Sequence, residues 1–424
     1  MKVNRVERII ARDRRIDVLC HLTKNLYNYA NYIIRQEFIK TSKEKEQGLR
    51  EYANWIRYQN LWQLVKDGDD YKALPSQTAQ QTLRLLDKNW TAFFRAIKDW
   101  KISPSKYLSR PKLPHYKNKD GKAIAIFTNQ QCHLKDGYVI FPKFLEDFKV
   151  KTTVNNLIQI RIVPQATNFV VEIVYQKEVI EEETNENTVI GIDIGLRNIV
   201  TITSNTGLRP VVAKGGVLKS CNQFYNKKKA KLQAIYDKQG IKTGKKLSLL
   251  TEKRNRKVND QLHKISRFVI AYALLNKIGR VIVGYNPNWK QRINIGRRNN
   301  RSFCQLPFLK LIDQISYKGE EVGIETIKQE ESHTSKCSFL DNEPIEHREV
   351  YLGKRRSRGL FRTAKGFVIN ADVNGSLNII RKSNPELIDA RKLGQDKGCG
   401  LYPVRLKQPY KQSLLKLANI NEQF

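Results

Sequence analysis

Apolar residues near the start of the chain recur in steps of three and four. Ile16, Leu19, Leu22, Leu26, Ala30, Ile33, Ile34 and Phe38 share one face of a helix predicted over residues 16–40, after a short leading strand. A second helix is expected over 46–66. A third opens at Pro75-Ser76, residues suited to a helix start, and carries Leu83, Leu86, Trp90, Phe93, Phe94, Ile97 and Trp100. These helices predict a bundle over residues 16–103 with the aromatic residues in its core. From Pro104 the pattern changes, and PSKYLSRPKLPHYKNKDGK reads as an extended basic loop. The runs KAIAIFT, GYVIFP, LIQIRIVP and NFVVEIVYQ are rich in Ile and Val and bounded by turn residues. They predict a small wedge-like β-barrel built from residues 1–15 and 104–178.

An acidic linker over residues 179–188 separates this half from a second domain starting at Val189. There VIGIDIG (189–195), NIVTITS and RPVVAK read as strands, and Phe224 to Leu275 as a long basic helical segment. RVIVGYN (280–286) is a strand, FLKLIDQISYKG (308–319) a helix and EVGIETIKQE (321–330) a strand. After a basic hairpin-like region, NADVNGSLNIIRK (370–382) is a helix. Three strands, helix, strand, helix, strand, helix is the order of an RNase H-like domain, with its active site at strand ends. The expected fold class is multidomain α+β: an N-terminal helical bundle with a small β-barrel, then a C-terminal RNase H-like α/β domain. The latter covers 189–333 and 367–382, with a basic insertion at 334–366. No chemistry attaches to the tail, 383–424.

Charge narrows the partner. Lys and Arg number 77 against 41 Asp and Glu, a formal net charge of +36 spread along the whole chain. Such an excess works against compaction unless a polyanion offsets it, and nucleic acid is the expected one. The six cysteines are scattered without any C-x-x-C, which fits neither a disulfide framework nor a zinc site and suits a reducing cytoplasm. Cys20-His21 and Cys132-His133 are adjacent pairs, poorly placed to ligate one metal, and are read as structural. The opening MKVNRVERIIARDRR lacks the apolar stretch of a signal peptide, and no run approaches the ~18 apolar residues of a membrane span. The protein is expected to be soluble and cytoplasmic, nucleoid-associated when bound to DNA, and monomeric.

An RNase H-like nuclease needs about three carboxylates to hold two Mg²⁺ ions roughly 4 Å apart. Magnesium takes carboxylate oxygens and water, so clustered acids are the signal here rather than histidines. Asp193 is an acid inside the apolar strand V-I-G-I-D-I-G. A carboxylate in such a place is paired or metal-bound, because an isolated buried charge is costly. Asp372, in N-A-D-V-N-G-S-L-N, opens the last helix, where the helix dipole alone would also favour an acid. Gly375 would let that helix pack closely on the sheet.

These segments together resemble the TnpB (OrfB) proteins of insertion sequences, relatives of compact type V CRISPR effectors. The motifs are GIDIGLRNIV, L-H-K-I-S, V-I-V-G-Y-N-P-N-W-K-Q, E-E-S-H-T-S-K, G-K-R-R-S-R-G-L-F-R-T and I-N-A-D-V-N-G-S-L-N-I-I. They cover residues 189–382 strongly, with weaker support at 74–81 and 111–119. The resemblance implies a noncoding guide RNA, a short adjacent DNA motif, a helical recognition bundle and RuvC cleavage of double-stranded DNA. It also exposes two departures. The family's usual second acid ends the fourth strand, where this chain has Gly284. Glu330 and Glu331 end the neighbouring fifth strand, and some relatives carry a relocated Glu just before T-S-K, which matches Glu331. Strand alternation lets only one of the two face the metals. The expected catalytic and metal-binding set is therefore Asp193, Glu331 and Asp372, holding Mg²⁺ or Mn²⁺. The second departure is the zinc ribbon. T-S-K is followed by Cys337 and FLDNEP without paired C-x-x-C motifs, so the insertion at 334–366 is expected to guide the target strand without zinc.

Trp289, Lys290, Arg297 and Arg298 follow the fourth strand, and Arg355, Arg356 and Arg358 lie in the insertion. A Trp beside a Lys can stack a base next to a phosphate contact, and the set is expected to line a channel for an RNA–DNA heteroduplex. The function expected is an RNA-guided, metal-dependent DNA endonuclease of transposon origin. The alternatives are a nuclease-dead RNA-guided DNA-binding repressor and a compact type V CRISPR effector.

Overall fold

The computed structural model describes residues 1–287, 294, 296–357, 359–390, 402–408 and 414, with backbone only at 297–299. The chain forms two compact units, Lys2–Lys177 and Glu178 onward with Met1.

In the first unit β1 (Lys2–Ala11) leads into α1 (Arg14–Glu46), whose start is capped by Asp13 accepting from the Arg15 N–H. The helix predicted over 46–66 is shorter, α2 (Tyr58–Val65). Gly48 at φ 74° turns the chain away after α1. The Thr41 hydroxyl then accepts from the Asn54 N–H at 2.9 Å, which holds the intervening segment against α1 rather than in a helix. A short α3 (Asp69–Lys72) precedes α4 (Ser76–Ile102). Trp90 of α4 is fully buried, stacks on Trp55 and donates its indole N–H to Asn31 at 3.0 Å. Burying a large side chain of this kind contributes about 1.5–3 kcal/mol, so core packing decides the place of these aromatics.

The strands that follow are β2 (Ala125–Thr128), β3 (His133–Lys135), β4 (Tyr138–Ile140), β5 (Lys149–Lys151), β6 (Leu157–Pro164) and β7 (Phe169–Glu178). Among the described residues they make two sheets, β1-β7-β6-β2 and β3-β4-β5, rather than the single small barrel expected. Short Ile/Val runs announce strands without stating which pairs close. Burial pushes the thiols of Cys20 and Cys132 up to about 12, as suits structural residues.

The second unit opens with β8 (Asn185–Asp193), β9 (Asn198–Ser204) and β10 (Val211–Lys214). Residues 185–188, assigned by composition to the acidic linker, are thus the first residues of β8. The basic helical segment is two helices, α5 (Gly216–Lys238) and α6 (Lys245–Leu275), separated where Gly240 adopts φ 65°. Then come β11 (Ile278–Tyr285), α7 (Arg297–Cys304), α8 (Phe308–Glu320) and β12 (Glu325–Glu330). A small sheet of β13 (Lys354–Ser357), β14 (Leu360–Arg362) and β15 (Val368–Asn370) runs straight into α9 (Ala371–Ser383). Within the tail, β16 (Val404–Leu406) pairs parallel to β10. Among the described residues the main sheet has the order β12-β11-β8-β9-β10-β16. β8, β11 and β12 are mutually parallel, and β9 is antiparallel to β8 and β10.

Alternation along the strands builds two cores. Ile190, Ile192, Val281 and Val283 pack with residues of α6 and α8, whereas Val189 and Ile282 pack with Val373, Leu377, Ile379 and Ile380 of α9. The α9 face therefore includes positions 191, 193 and 284. No helix among the described residues is long and apolar enough to cross a membrane.

Candidate active site

The three acids singled out from sequence lie at the ends of β8 and β12 and at the start of α9. Asp193 closes β8 on the face covered by α9. Two glycines permit that cover. A Cβ on Gly191 would run into the Ser376 carbonyl oxygen and Ile380, and one on Gly284 would run into Glu331 and Ile379. The Ser376 hydroxyl donates to the Gly191 carbonyl at 2.8 Å and lies 2.9 Å from the Thr203 hydroxyl, pinning α9 across β8 and β9. Close helix–sheet approach thus falls to Gly191 and Gly284. Gly375, to which sequence reasoning gave this role, instead faces Asp193, whose Oδ2 lies 3.4 Å from its Cβ position.

Asp372 sits one turn before Ser376. Asn370 caps the helix by accepting from the Asp372 and Val373 N–H groups at 2.9 and 3.2 Å. Asn198, the first residue of β9, donates its amide to Asp372 Oδ2 at 2.6 Å. Glu331 leaves the end of β12 and reaches back over β11, so that its Oε2 occupies the space beside Gly284 where a side chain would stand. Its Oε1 accepts from the Asn286 amide at 3.2 Å. Glu330 turns elsewhere, to Lys382 Nζ at 2.6 Å and to the Ser332 N–H and hydroxyl, both at 2.8 Å. Burial pulls the Glu330 carboxyl up, but these hydrogen bonds and the Lys382 charge outweigh it and leave its pKa lowered.

Asp193 is held well above the ordinary carboxylate range, first by burial, then by the negative charges of Glu331 and Asp372, with Arg355 opposing. Its side chain has no hydrogen-bond or ion-pair partner among the described residues. Among those residues no three acidic, His or Cys side chains converge tightly enough to enclose an ion as they stand. The donor set nevertheless suits a hard divalent cation. It consists of carboxylate oxygens, it leaves a desolvated carboxylate unpaired, and its mutual repulsion is what a bound cation would relieve.

The expected nucleic-acid residues separate into groups. Arg355, on β13, lines a cavity of about 640 Å³ together with Asp372. Arg356 is exposed on the same strand. Arg297 and Arg298 open α7, while Trp289, Lys290 and Arg358 lie outside the described residues. Sequence reasoning missed Asn198 and Asn286. Their signal was available in retrospect: each is an amide placed beside the end of a strand that carries or adjoins an acid.

The insertion is tied to the helix that bears Asp372. Asn374 and Asn378 each donate to the Cys337 carbonyl at 2.8 Å. Buried Glu343 accepts from the Ser338 and Leu352 N–H groups at 2.7 and 2.9 Å. Arg381 donates to the Glu343 carbonyl, Asn342 and Asn378 at 2.6, 2.9 and 2.8 Å.

Comparison with known proteins gives matches on both sides of this site. Residues 172–290, which include Asp193 and Gly284, match the OrfB_IS605 family model, described as a probable transposase. Residues 308–379, which include Glu331 and Asp372, match the Cas12f1-like TNB domain. The chain is 23% identical over 413 residues to TnpB-like protein ORF457 of Acidianus two-tailed virus, covering 88% of this chain and 84% of that one. It is 26% identical over 167 residues to a TnpB-like protein of Methanocaldococcus jannaschii, covering 39% and 57% respectively. A Cas12f1 solved by cryo-EM in complex with sgRNA and target DNA shares its fold, with a TM-score of 0.52 and 15% identity over 87% of this chain and 83% of that one.

Proposed function

From this relationship to the TnpB-like proteins, we propose that the chain is an RNA-guided DNA endonuclease that hydrolyses phosphodiester bonds at Asp193, Glu331 and Asp372. Its partners are a noncoding guide RNA and double-stranded DNA. The observation that carries this reading is the Glu331 carboxylate standing over Gly284, which returns an acid to the strand end where the family's usual one is missing.

Asp193, Glu331 and Asp372 would hold Mg²⁺ or Mn²⁺, which when bound activates water and stabilises charge on the leaving oxygen. The chain's own residues prepare for this. Asn198 and Asn286 fix the orientations of Asp372 and Glu331, as outer hydrogen-bond partners commonly do for metal ligands. Ser376, Gly191 and Gly284 set the spacing of α9 from the sheet and so of Asp372 from Asp193. Arg355 faces both the acids and the adjoining cavity, where it can hold a backbone phosphate. The +36 charge suits a heteroduplex recognised through its backbone, with base pairing supplying sequence specificity. The basic insertion at 334–366 guides the target strand.

The test is plasmid cleavage in Mg²⁺ by the protein co-expressed with its flanking noncoding RNA, comparing wild type, Glu331→Ala and Glu330→Ala. Guide-dependent cutting, lost in Glu331→Ala and kept in Glu330→Ala, is expected. Gly284 favours one other reading, a nuclease-dead RNA-guided repressor, and guide-dependent binding without cutting by wild type would establish it instead.

A further inference from the structure

The cavity beside Asp372 has a feature that the acid cluster does not require. Its wall combines Arg197 from the loop after β8, Lys214 from β10, Lys219 from α5, Arg355 from β13 and Arg405 from β16, and Asp372 is the acid among its lining residues. Among the described residues, the side chains of Arg197, Lys214 and Arg405 have no ion-pair partner, and all three are exposed. Arg197, Lys214 and Arg405 thus crowd positive charge around one hollow, Asp372 offsets it only in part, and an anionic occupant would relieve the repulsion. Arg405 arrives there by a specific route. β16 pairs parallel to β10 with Arg405 abreast of Val212, and Val212 and Lys214 lie on the lining face by strand alternation.

We propose that this cavity seats the phosphate backbone of a single DNA strand leading to Asp372, and that Arg405, supplied by the C-terminal segment, is a positioning residue for that strand. The inference deepens the endonuclease reading and rests on it for the identity of the substrate. A hollow of about 640 Å³ is of the size that holds one ligand-sized occupant, so it suits a nucleotide or two of one strand rather than a duplex. Among the described residues its lining is charged and holds no aromatic side chain, which favours contacts to phosphates over stacking on bases. The occupant is therefore held without regard to sequence, as a strand chosen by pairing to a guide requires.

The test is fluorescence anisotropy of labelled hexathymidylate with the full-length protein in EDTA across a salt series. Wild type is compared with Arg405→Gln, Arg405→Lys and Lys242→Gln, the last an exposed control between α5 and α6. Arg405→Gln is expected to weaken binding about threefold to tenfold and to flatten the slope of log affinity against log salt by about 0.7, the effect of one phosphate contact on a single strand. Arg405→Lys should keep the slope, and Lys242→Gln should change neither quantity. In cleavage assays Arg405→Gln should raise KM with kcat little changed. An unchanged slope in Arg405→Gln, or an equal change in Lys242→Gln, would overturn the proposal, since diffuse surface charge would then explain the binding. Equal dependence on Arg405 for a short blunt duplex would also overturn it. Arg405-dependent binding by a wild type that never cuts would retain the strand site and remove the endonuclease. Cutting indifferent to Arg405 would do the reverse.

Discussion

Glu331 and Gly284 share one place in the molecule: the Glu331 carboxylate fills the volume that any side chain at position 284 would need. The acid at the end of β12 and its absence at the end of β11 are thus one arrangement. Ile379, the other atom source near that Cβ position, is also a flexible side-chain end. Gly284→Ala should therefore cost only about 1 kcal/mol of stability, at the low end for overpacking. Its effect on cleavage should be far larger, on the order of a hundredfold, if the group that must move is the metal ligand proposed above, since such a ligand contributes several kcal/mol. Denaturant unfolding and cleavage rates measured on the same preparation separate the two.

Gly191→Ala should behave in the opposite manner. Its Cβ would meet the carbonyl oxygen of Ser376 and the branch of Ile380, and a helix backbone cannot step aside as a side-chain tip can. A loss of about 2–3 kcal/mol is expected, read as a lower denaturation midpoint with unchanged m-value.

The Asn198 amide holds Asp372 at 2.6 Å. Asn198→Ala should leave the fold intact and weaken Mg²⁺ binding about 10- to 100-fold, the usual cost of losing a hydrogen bond to a metal ligand. The activity should recover at high Mg²⁺, which a titration of cleavage rate against metal concentration would reveal.

Lys318, between α8 and α6, donates to the His263 carbonyl at 2.8 Å and to the Ser266 hydroxyl at 2.6 Å. Burial first, and the Arg267 charge second, bring its pKa down to about 8. An unfolded chain binds that proton more tightly, with a pKa of about 10.4. Between these values the unfolded state holds more protons, so this residue makes stability rise with pH across the window. Relative to Lys318→Met, wild type should gain stability from pH 7.5 to 10, as measured by urea midpoints at each pH. A constant difference would contradict the assignment.

The insertion at 334–366 is expected to need no zinc, since Arg381, Glu343, Asn374 and Asn378 supply its attachment to α9. Purified protein should carry no stoichiometric zinc, and EDTA should leave hydrogen-exchange protection of residues 337–343 unchanged. Arg381→Met should remove that protection and cost about 3 kcal/mol or more, through several lost charge-assisted hydrogen bonds.

What the chain's own pattern determined is local. The Ile/Val runs ending in Asp193 and Tyr285 announce strands, and the polar-capped Asn370-Ala371-Asp372 announces a helix start, because period and capping are properties of neighbouring residues. The place of β12 beside β11 was expected from an RNase H-like sheet, and a resemblance to relatives pointed to Glu331 beside Gly284. Only tertiary structure decided the rest. It paired β16 with β10 and so brought Arg405 beside Lys214, it made two sheets of the strands expected to close a barrel, and it chose Gly191 and Gly284 as the floor for α9. It also turned Glu330 to Lys382 and left Glu331 over the sheet. These outcomes depend on which distant surfaces meet and what volume remains between them, and no periodicity within one segment records that.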